Sequence, residues 1–157
     1  RGNHESRNEG HRATQFEREC RMVGREVFTQ CCRVFSVLPL AAVHLRAGIF
    51  AAHGGIGPNL VYTGQIASLR KPMPMIPMHG VACDLLWADP ADDVDRFCGN
   101  EERGVSVLFG ATATREFLAG NGLRMIVRAH SIQQQGFGWS CGGQVLSVYS
   151  SRDEVHG

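Results

Sequence analysis

The sequence predicts a single α/β domain, and three observations support this. Residues 26–38, EVFTQCCRVFSVL, repeat apolar side chains every three or four positions, which is the spacing of an amphipathic helix. Short apolar runs at 47–53 and 123–130 have the length and composition of strands. The two kinds of segment are mixed without a regular strand–helix–strand period, and 157 residues provide for one domain and little more.

The remaining elements follow from local patterns. Pro39 ends the helix over 26–38, and the strands over 40–45 and 47–53 are joined by a tight turn around residues 46–48. The proline-rich stretch 71–79 must be a loop. Other predicted segments are a helix over 13–23, a short apolar element over 84–87, an acidic loop over 88–95, an extended segment over 104–110 and a strand over 144–150. A helix is also predicted over 112–122, with Thr112 or Thr114 as its N-cap and Gly120 or Gly122 as its stop.

Composition narrows the class of protein. A hydrophobic content of 43% and a mean hydropathy of −0.13 are typical of a globular protein. A net charge of +1 gives no sign of a nucleic-acid or membrane-surface partner. Six cysteines without a CxxC pair are interpreted as reduced thiols, which predicts a cytoplasmic or nuclear location. No apolar run approaches about 18 residues, so we expect neither a signal peptide nor a membrane span.

Candidate chemistry lies where strands pass into loops. The segments GIFAAHGG and MIVRAHS place His53 and His130 at the ends of predicted strands, and the opening RGNHES supplies Asn3 and His4. Imidazole together with an amide oxygen suits a divalent Mn, Fe or Zn ion. A histidine in this setting is more often structural than a ligand, so these residues alone leave both interpretations open.

Six segments in order make the pattern specific. They are RGNHES, LPLAAV, HGGIGPNL, CDLLWADP, ERGVSVLFG and IVRAHS. Together they resemble the successive signatures of the phosphoprotein phosphatases, which are metal-dependent serine/threonine protein phosphatases. The resemblance covers about residues 1–150. It implies a metallophosphoesterase (calcineurin-like) α/β sandwich of mixed sheets flanked by helices, acting by metal-activated water on phosphoserine or phosphothreonine.

The resemblance also implies roles for individual residues. Asn3, His53 and His130 match the amide and the two histidines that bind the second metal of the family. His4 matches the histidine that protonates the leaving oxygen, and its alternative is a structural part of the Asn3 loop. A proton donor is needed because a serine or threonine alkoxide is a poor leaving group.

Three further residues match supporting positions. Arg103 matches an arginine that holds the substrate phosphate, where its planar fork could meet two oxygens. The alternative for Arg103 is a surface ion pair with the neighbouring Glu101 or Glu102, which would be worth at most about 1 kcal/mol. Glu5 and Asp89 match side chains that support the site.

Two family motifs that carry aspartates precede the Gly-Asn-His-Glu loop and are not found in these residues. We therefore expect residues 1–157 to be a partial catalytic domain, its C-terminal portion. With three neutral ligands it should hold at most one ion weakly, be nearly inactive alone, and expose apolar faces. Near its end Glu154 falls where the family has a tyrosine that reaches the site.

The function predicted for the complete parent is that of a serine/threonine protein phosphatase with two divalent ions. Its partners would be phosphoprotein substrates and regulatory subunits. One alternative is a non-catalytic pseudophosphatase or truncated fragment that acts as a binding module. A second is a diadenosine-tetraphosphate hydrolase of related fold, although CDLLWADP and RGVSVLFG favour the protein phosphatases.

Overall fold

The computed structural model describes residues 1–6 and 15–150, which form four α-helices, two β-sheets and two short 3-10 helices. The helices are α1 (Gln15–Val23), α2 (Val27–Val37), α3 (Val81–Trp87) and α4 (Ala111–Gly120), with 3-10 helices at Thr63–Ser68 and Cys141–Gly143. The strands are β1 (Ala41–His44), β2 (Ile49–Ala52), β3 (Asp89–Pro90), β4 (Phe97–Gly99), β5 (Val107–Phe109), β6 (Met125–Arg128), β7 (Phe137–Ser140) and β8 (Val145–Val148).

The larger sheet has five strands in the order β1-β2-β6-β8-β7. Its outer pairs, β1 with β2 and β7 with β8, are antiparallel, whereas β2, β6 and β8 run parallel to one another. The predicted turn between the first two strands is present, and Gly48 adopts a φ of 67° there. Because parallel strands end at the same edge, the residues that follow β2, β6 and β8 are brought together.

The two faces of this sheet differ in burial. Phe50, Ile126 and Val145 share one face and are fully buried, and the Phe50 ring packs 5.1 Å from the ring of Phe117 in α4. On the opposite face Phe137 and Trp139 are each 54% exposed. The hydrophobic core therefore lies on one side of the sheet, and the other side is open and apolar along β7. An exposed apolar face is what the sequence analysis expects.

The smaller sheet has the order β3-β5-β4, with β3 parallel to β5. The prediction of a loop throughout 88–95 is wrong at Asp89–Pro90, because these residues pair with Leu108 and Phe109 of β5. The short strand β4 was not predicted either. Both elements depend on pairing with a distant strand, which a local sequence pattern does not reveal.

Helix boundaries also show where local patterns fail. α3 starts at Val81, three residues before the predicted element, and its buried apolar residues pack into the core. The N-cap of α4 is Gly110 rather than Thr112 or Thr114. A Cβ at Gly110 would lie 1.6 Å from the carbonyl oxygen of Val94, so close packing selects glycine.

The end of α4 follows its prediction. Gly122 has a φ of 63°, and the amide of Leu123 donates to the carbonyl of Leu118 over 2.9 Å, which closes the helix with a Schellman motif. The helix over 26–38 and the loop over 71–79 are confirmed. The predicted helix over 13–23 is described from Gln15 onward. Within residues 1–6 and 15–150, none of the helices has the length and apolar content to span a membrane.

Candidate metal centre and anion pocket

Parallel strands bring His53 and His130 together at one sheet edge. His53 directly follows β2 and His130 lies two residues beyond β6, and these strands are neighbours. The amide of Ala129 donates to the carbonyl of His53 over 3.0 Å, which extends the pairing beyond the strands. The two imidazole rings have their centroids 5.0 Å apart. Two histidines separated by 77 positions in the sequence thus face the same space.

The opening loop adds an amide oxygen. Oδ1 of Asn3 lies 2.7 Å from Nε2 of His53, and Asn3 is only 4% exposed. Gly2 packs closely beside it, because a Cβ there would lie 2.7 Å from Oε2 of Glu5 and 3.0 Å from Nδ1 of His53. Glu5 accepts the amide hydrogen of Gly2 over 2.7 Å, so its contact is with the loop backbone.

The residues present fit a divalent ion. Nε2 of His130 is buried and has no hydrogen-bond partner among the described residues. Burial, followed by the charge of Arg128, lowers the pKa of His53 to about 4. Burial also lowers the pKa of His130 to about 3. Both rings are therefore neutral at pH 7, and neutral imidazole is the form that binds metal.

The donor set has a distinctive composition. Asn3, His53 and His130 are all neutral, and the part of the chain that the structure describes contains no cluster of three or more His, Cys, Asp or Glu residues suited to a metal ion. Nitrogen and amide-oxygen donors are compatible with Mn, Fe and Zn, and do not distinguish among them.

Asp89 lies at the centre of a hydrogen-bonded group that we call the Asp89 cluster: Asp89, Asn100, Arg103, Arg128 and Ser131. Oδ2 accepts from Nε of Arg103 over 2.9 Å and from Nδ2 of Asn100 over 3.0 Å. Oδ1 accepts from Nη2 of Arg128 over 2.6 Å and from Oγ of Ser131 over 2.9 Å. Burial alone would raise the pKa of Asp89, but Arg103 and Arg128 outweigh it and lower that pKa to about 2.

Arg128 is a residue that the sequence analysis missed. Its side chain is only 1% exposed, yet it carries a full charge beneath the site. Besides Asp89, its guanidinium donates to the carbonyl of Gly54 over 2.7 Å and to that of Ala88 over 3.0 Å. It therefore ties together the chain segments that follow β2 and α3. Arg128 lies two residues after the buried Ile126, so both side chains are on the same buried face of β6.

Arg103 belongs to the Asp89 cluster and also contacts one metal-ligand candidate, His130. While its Nε binds Asp89, its Nη2 donates to the carbonyl oxygen of His130 over 2.9 Å. Neither bond uses Nη1, and Arg103 lines the adjacent pocket. His130 itself has a φ of 65°, which is uncommon for a residue with a Cβ.

These groups open onto a pocket of about 1090 Å³. Every predicted site residue except Glu5 lines it, namely Asn3, His4, His53, Asp89, Arg103 and His130. His4 is exposed within it. Tyr149, which follows β8, also lines the pocket and was not predicted. Glu154, the residue predicted near this position, lies outside the described residues.

Known proteins are similar to this chain in sequence and in fold. The calcineurin-like phosphoesterase family matches residues 1–134. The chain is 37% identical over 153 residues to the serine/threonine-protein phosphatase 2B catalytic subunit A1 of Saccharomyces cerevisiae, covering 87% of this chain and 27% of that protein. It is 33% identical to the serine/threonine-protein phosphatase 6 catalytic subunit of Drosophila melanogaster, covering 96% of this chain and 49% of that protein.

A solved structure agrees with the fold. A protein serine/threonine phosphatase from Saccharomyces cerevisiae, described as similar to human phosphatase PP5, superposes with a TM-score of 0.86 at 28% identity. The match covers 96% of this chain and 46% of that one, so the chain spans half or less of the relatives named here. The predicted fold, mixed sheets flanked by helices, is confirmed, and so is the resemblance. This chain belongs to the calcineurin-like phosphoesterase family, whose members use divalent metal ions, and it is similar to the serine/threonine-protein phosphatases within it.

Proposed function

We propose that residues 1–157 form the C-terminal portion of a serine/threonine protein phosphatase catalytic domain and supply one of its two metal sites and part of its phosphate site. The observation that carries this proposal is the convergence of Asn3, His53 and His130 with Arg103 on one pocket. The named relatives are serine/threonine phosphatases, which supports phosphoproteins as the substrates. Regulatory subunits and a cytoplasmic location remain predictions from the sequence.

The metal site would be built from neutral donors. Asn3, His53 and His130 would hold one Mn, Fe or Zn ion, and burial keeps both imidazoles unprotonated for that purpose. In the complete parent protein, the aspartates of the two family motifs not found in residues 1–157 would allow a second ion to bind. Bound divalent ions neutralise phosphate charge and lower the pKa of water.

The phosphate would meet Arg103. Its bond to Asp89 fixes the plane of the guanidinium before any anion arrives, so little side-chain freedom is lost on binding. Asp89 stays ionised at neutral pH because the two arginines lower its pKa to about 2. The cluster would therefore orient Arg103 through Nε and leave Nη1 to bind the phosphate.

His4 would act on the leaving group. It is exposed in the same pocket as the ligand candidates, where a substrate oxygen could reach it. Proton donation to the departing serine or threonine oxygen typically contributes about 10²–10⁴-fold to the rate.

A chimera tests this function. Residues 1–157 would replace the matching segment of the Drosophila phosphatase 6 catalytic subunit, and phosphate release from a phosphothreonine peptide would be measured with Mn²⁺. We expect turnover, and we expect His4→Ala to reduce kcat by about 10²–10⁴-fold. The exposed His79, which lies outside the pocket, provides the matched control, and His79→Ala should leave kcat unchanged.

Two results would contradict the proposal. One is a folded, Mn²⁺-binding chimera that releases no phosphate. The other is an unchanged rate in the His4→Ala chimera. Residues 1–157 made alone should release almost no phosphate, because their described part offers three neutral ligands and no aspartate bridge.

A further inference from the structure

Arg103 is held in a way that phosphate binding alone does not explain. A phosphate-binding arginine needs its guanidinium nitrogens directed into the pocket. Here Nε and Nη2 instead make two bonds within the protein, to the carboxylate of Asp89 and to the backbone carbonyl of His130. The second bond joins Arg103 directly to the residue whose imidazole is a metal-ligand candidate.

The backbone at His130 needs such support. With φ at 65°, this residue lies in the left-handed region, which a Cβ makes unfavourable. Around it, the amide of Ser131 donates to the carbonyl of Ala129 over 2.9 Å, and Nη1 of Arg128 donates to Oγ of Ser131 over 2.6 Å. The carbonyl of His130 is therefore fixed by Arg103 while the next residue is fixed by Arg128.

Trp87 and Arg103 contact different parts of His130: Trp87 contacts the imidazole ring, and Arg103 contacts the backbone carbonyl. The Trp87 ring meets the imidazole edge to face, with centroids 5.4 Å apart and planes at 87°. This contact is made with the imidazole ring, whereas Arg103 contacts the backbone of His130, from which the ring projects. The direction of the imidazole thus depends on the turn, and the turn is held by the Asp89 cluster.

We propose that Arg103 is a positioning residue for the metal site, holding the left-handed turn at His130 so that the imidazole points toward Asn3 and His53. This inference rests on the metal site of the proposed function and adds a second role to a residue assigned there to phosphate. One arginine would then link the two sites, since any movement of Arg103 would shift both the anion contact and a metal ligand.

The two possible influences of Arg103, its charge and its positioning of His130, predict opposite changes in divalent-cation affinity when Arg103 is removed. Arg103 carries a positive charge close to His130, where it lowers the pKa of that imidazole. If charge were its only influence, removing it would reduce repulsion and make a divalent cation bind more tightly. If Arg103 positions His130, removing it should weaken cation binding, because loss of a residue that orients a ligand typically costs 10–100-fold in affinity.

The test measures Mn²⁺ binding to the 157-residue chain without substrate. Mn²⁺ is chosen because the chain has six cysteines, whose soft thiolates would compete for Zn²⁺. Free Mn²⁺ would be counted by electron paramagnetic resonance in titrations of wild type, Arg103→Ala, Arg103→Lys and Arg96→Ala. Arg96 is the matched control, since it is an exposed arginine paired with Glu116 and lies outside the pocket.

We expect Mn²⁺ affinity to fall about 10-fold in both Arg103 variants and to stay unchanged in Arg96→Ala. Lysine keeps the charge but cannot make the two bonds to Asp89 and His130 together, so it should not rescue binding. Circular dichroism of each variant checks folding, and the lysine variant serves if the alanine variant unfolds. Affinity that is unchanged or tighter in either folded Arg103 variant would overturn the inference alone. A wild-type chain that binds no Mn²⁺ would overturn the metal site of the proposed function, and this inference with it.

Discussion

Two sides of the pocket are held in different ways. The Asp89 cluster is bound by side chains that pair with one another, with Arg128 buried and both carboxylate oxygens of Asp89 accepting two bonds each. The N-terminal loop, residues 1–6, is held in part by Arg1, whose partly buried side chain donates to backbone carbonyls. Arg1 donates from Nε to Glu5 over 2.7 Å and from Nη1 to Met73 over 2.5 Å.

The difference separates two parts of the proposed chemistry. The cluster can orient Arg103 and the His130 turn through the hydrogen bonds of Arg103 to Asp89 and to the carbonyl of His130. The loop that carries Asn3 and His4 is joined to the proline-rich segment by Arg1, whose guanidinium donates to the carbonyl of Met73. Substitutions in the cluster should therefore affect the stability of the whole domain, and substitutions in the loop should affect mainly the loop.

The largest effect is expected at the centre of the cluster. Arg128→Met would leave Asp89 without its buried charge partner and would orphan the carbonyls of Gly54 and Ala88. Breaking a buried pair by removing one member typically costs about 3–5 kcal/mol, so the free energy of unfolding in urea should fall by about that amount. A loss below about 1 kcal/mol would show that the cluster does not hold the domain together.

A smaller effect is expected in the loop. Arg1→Ala removes two hydrogen bonds from a charged donor, and the partial exposure of Arg1 places the loss near the low end for such bonds, about 1.5 kcal/mol. Hydrogen exchange should show faster exchange confined to the amides of residues 1–6. Faster exchange across β6 as well would mean that the two sides of the pocket are one unit.

Acid should affect the two histidines and Asp89 in different pH ranges. His53 and His130 have folded pKa values lowered to about 4 and about 3, below the ordinary value of about 6.5, so the unfolded chain binds more protons. Their contribution to stability is present above pH 6.5 and is lost as the pH falls toward 4 and 3. The contribution of Asp89, whose pKa is lowered to about 2, is present above about 3.9 and is lost only below that.

Urea midpoints between pH 7.5 and 3 would measure this separation. Between pH 6.5 and 4, the urea midpoint of the double variant His53→Gln, His130→Gln should fall less than that of wild type. Over the same range, the midpoint of Asp89→Asn should fall as much as that of wild type. An equal loss in the double variant and wild type over this range would contradict the lowered histidine pKa values.

The smallest effect is expected outside both regions. Arg96→Met breaks the ion pair with Glu116, whose side chains are 57% and 50% exposed. Exposed pairs contribute about 0–1 kcal/mol, so the free energy of unfolding should change by less than 1 kcal/mol. Arg128→Met removes a buried arginine with further bonds to backbone carbonyls, whereas Arg96→Met removes an exposed arginine whose side chain binds Glu116.

Sequence patterns predicted the parts of the site that depend on local order along the chain. His53 and His130 stood out because each follows a recognisable apolar strand, and their predicted role as metal ligands came from the resemblance to the phosphoprotein phosphatases. Arg128 did not stand out, since an arginine inside a strand is compatible with either face until the partners of that strand are known. Tyr149 was missed for the same reason, because its place in the pocket depends on β8 being parallel to β6.

The fold likewise has elements that local sequence predicts and elements that depend on distant contacts. α2 and the turn at Gly122 follow from apolar spacing and glycine conformation, which are local properties. The strand at Asp89–Pro90 and the cap at Gly110 result from contacts with residues 15–20 positions away. It is this tertiary pairing of β3 with β5 that places Asp89 between Arg103 and Arg128.

The most direct test of the proposed metal site is an anomalous diffraction map of crystals of the 157-residue chain soaked in Mn²⁺. A single strong peak bonded to the imidazoles of His53 and His130 and to Oδ1 of Asn3 is the predicted result. A map with no peak between these three side chains, or with Mn²⁺ bound only at an exposed histidine such as His79, would contradict it.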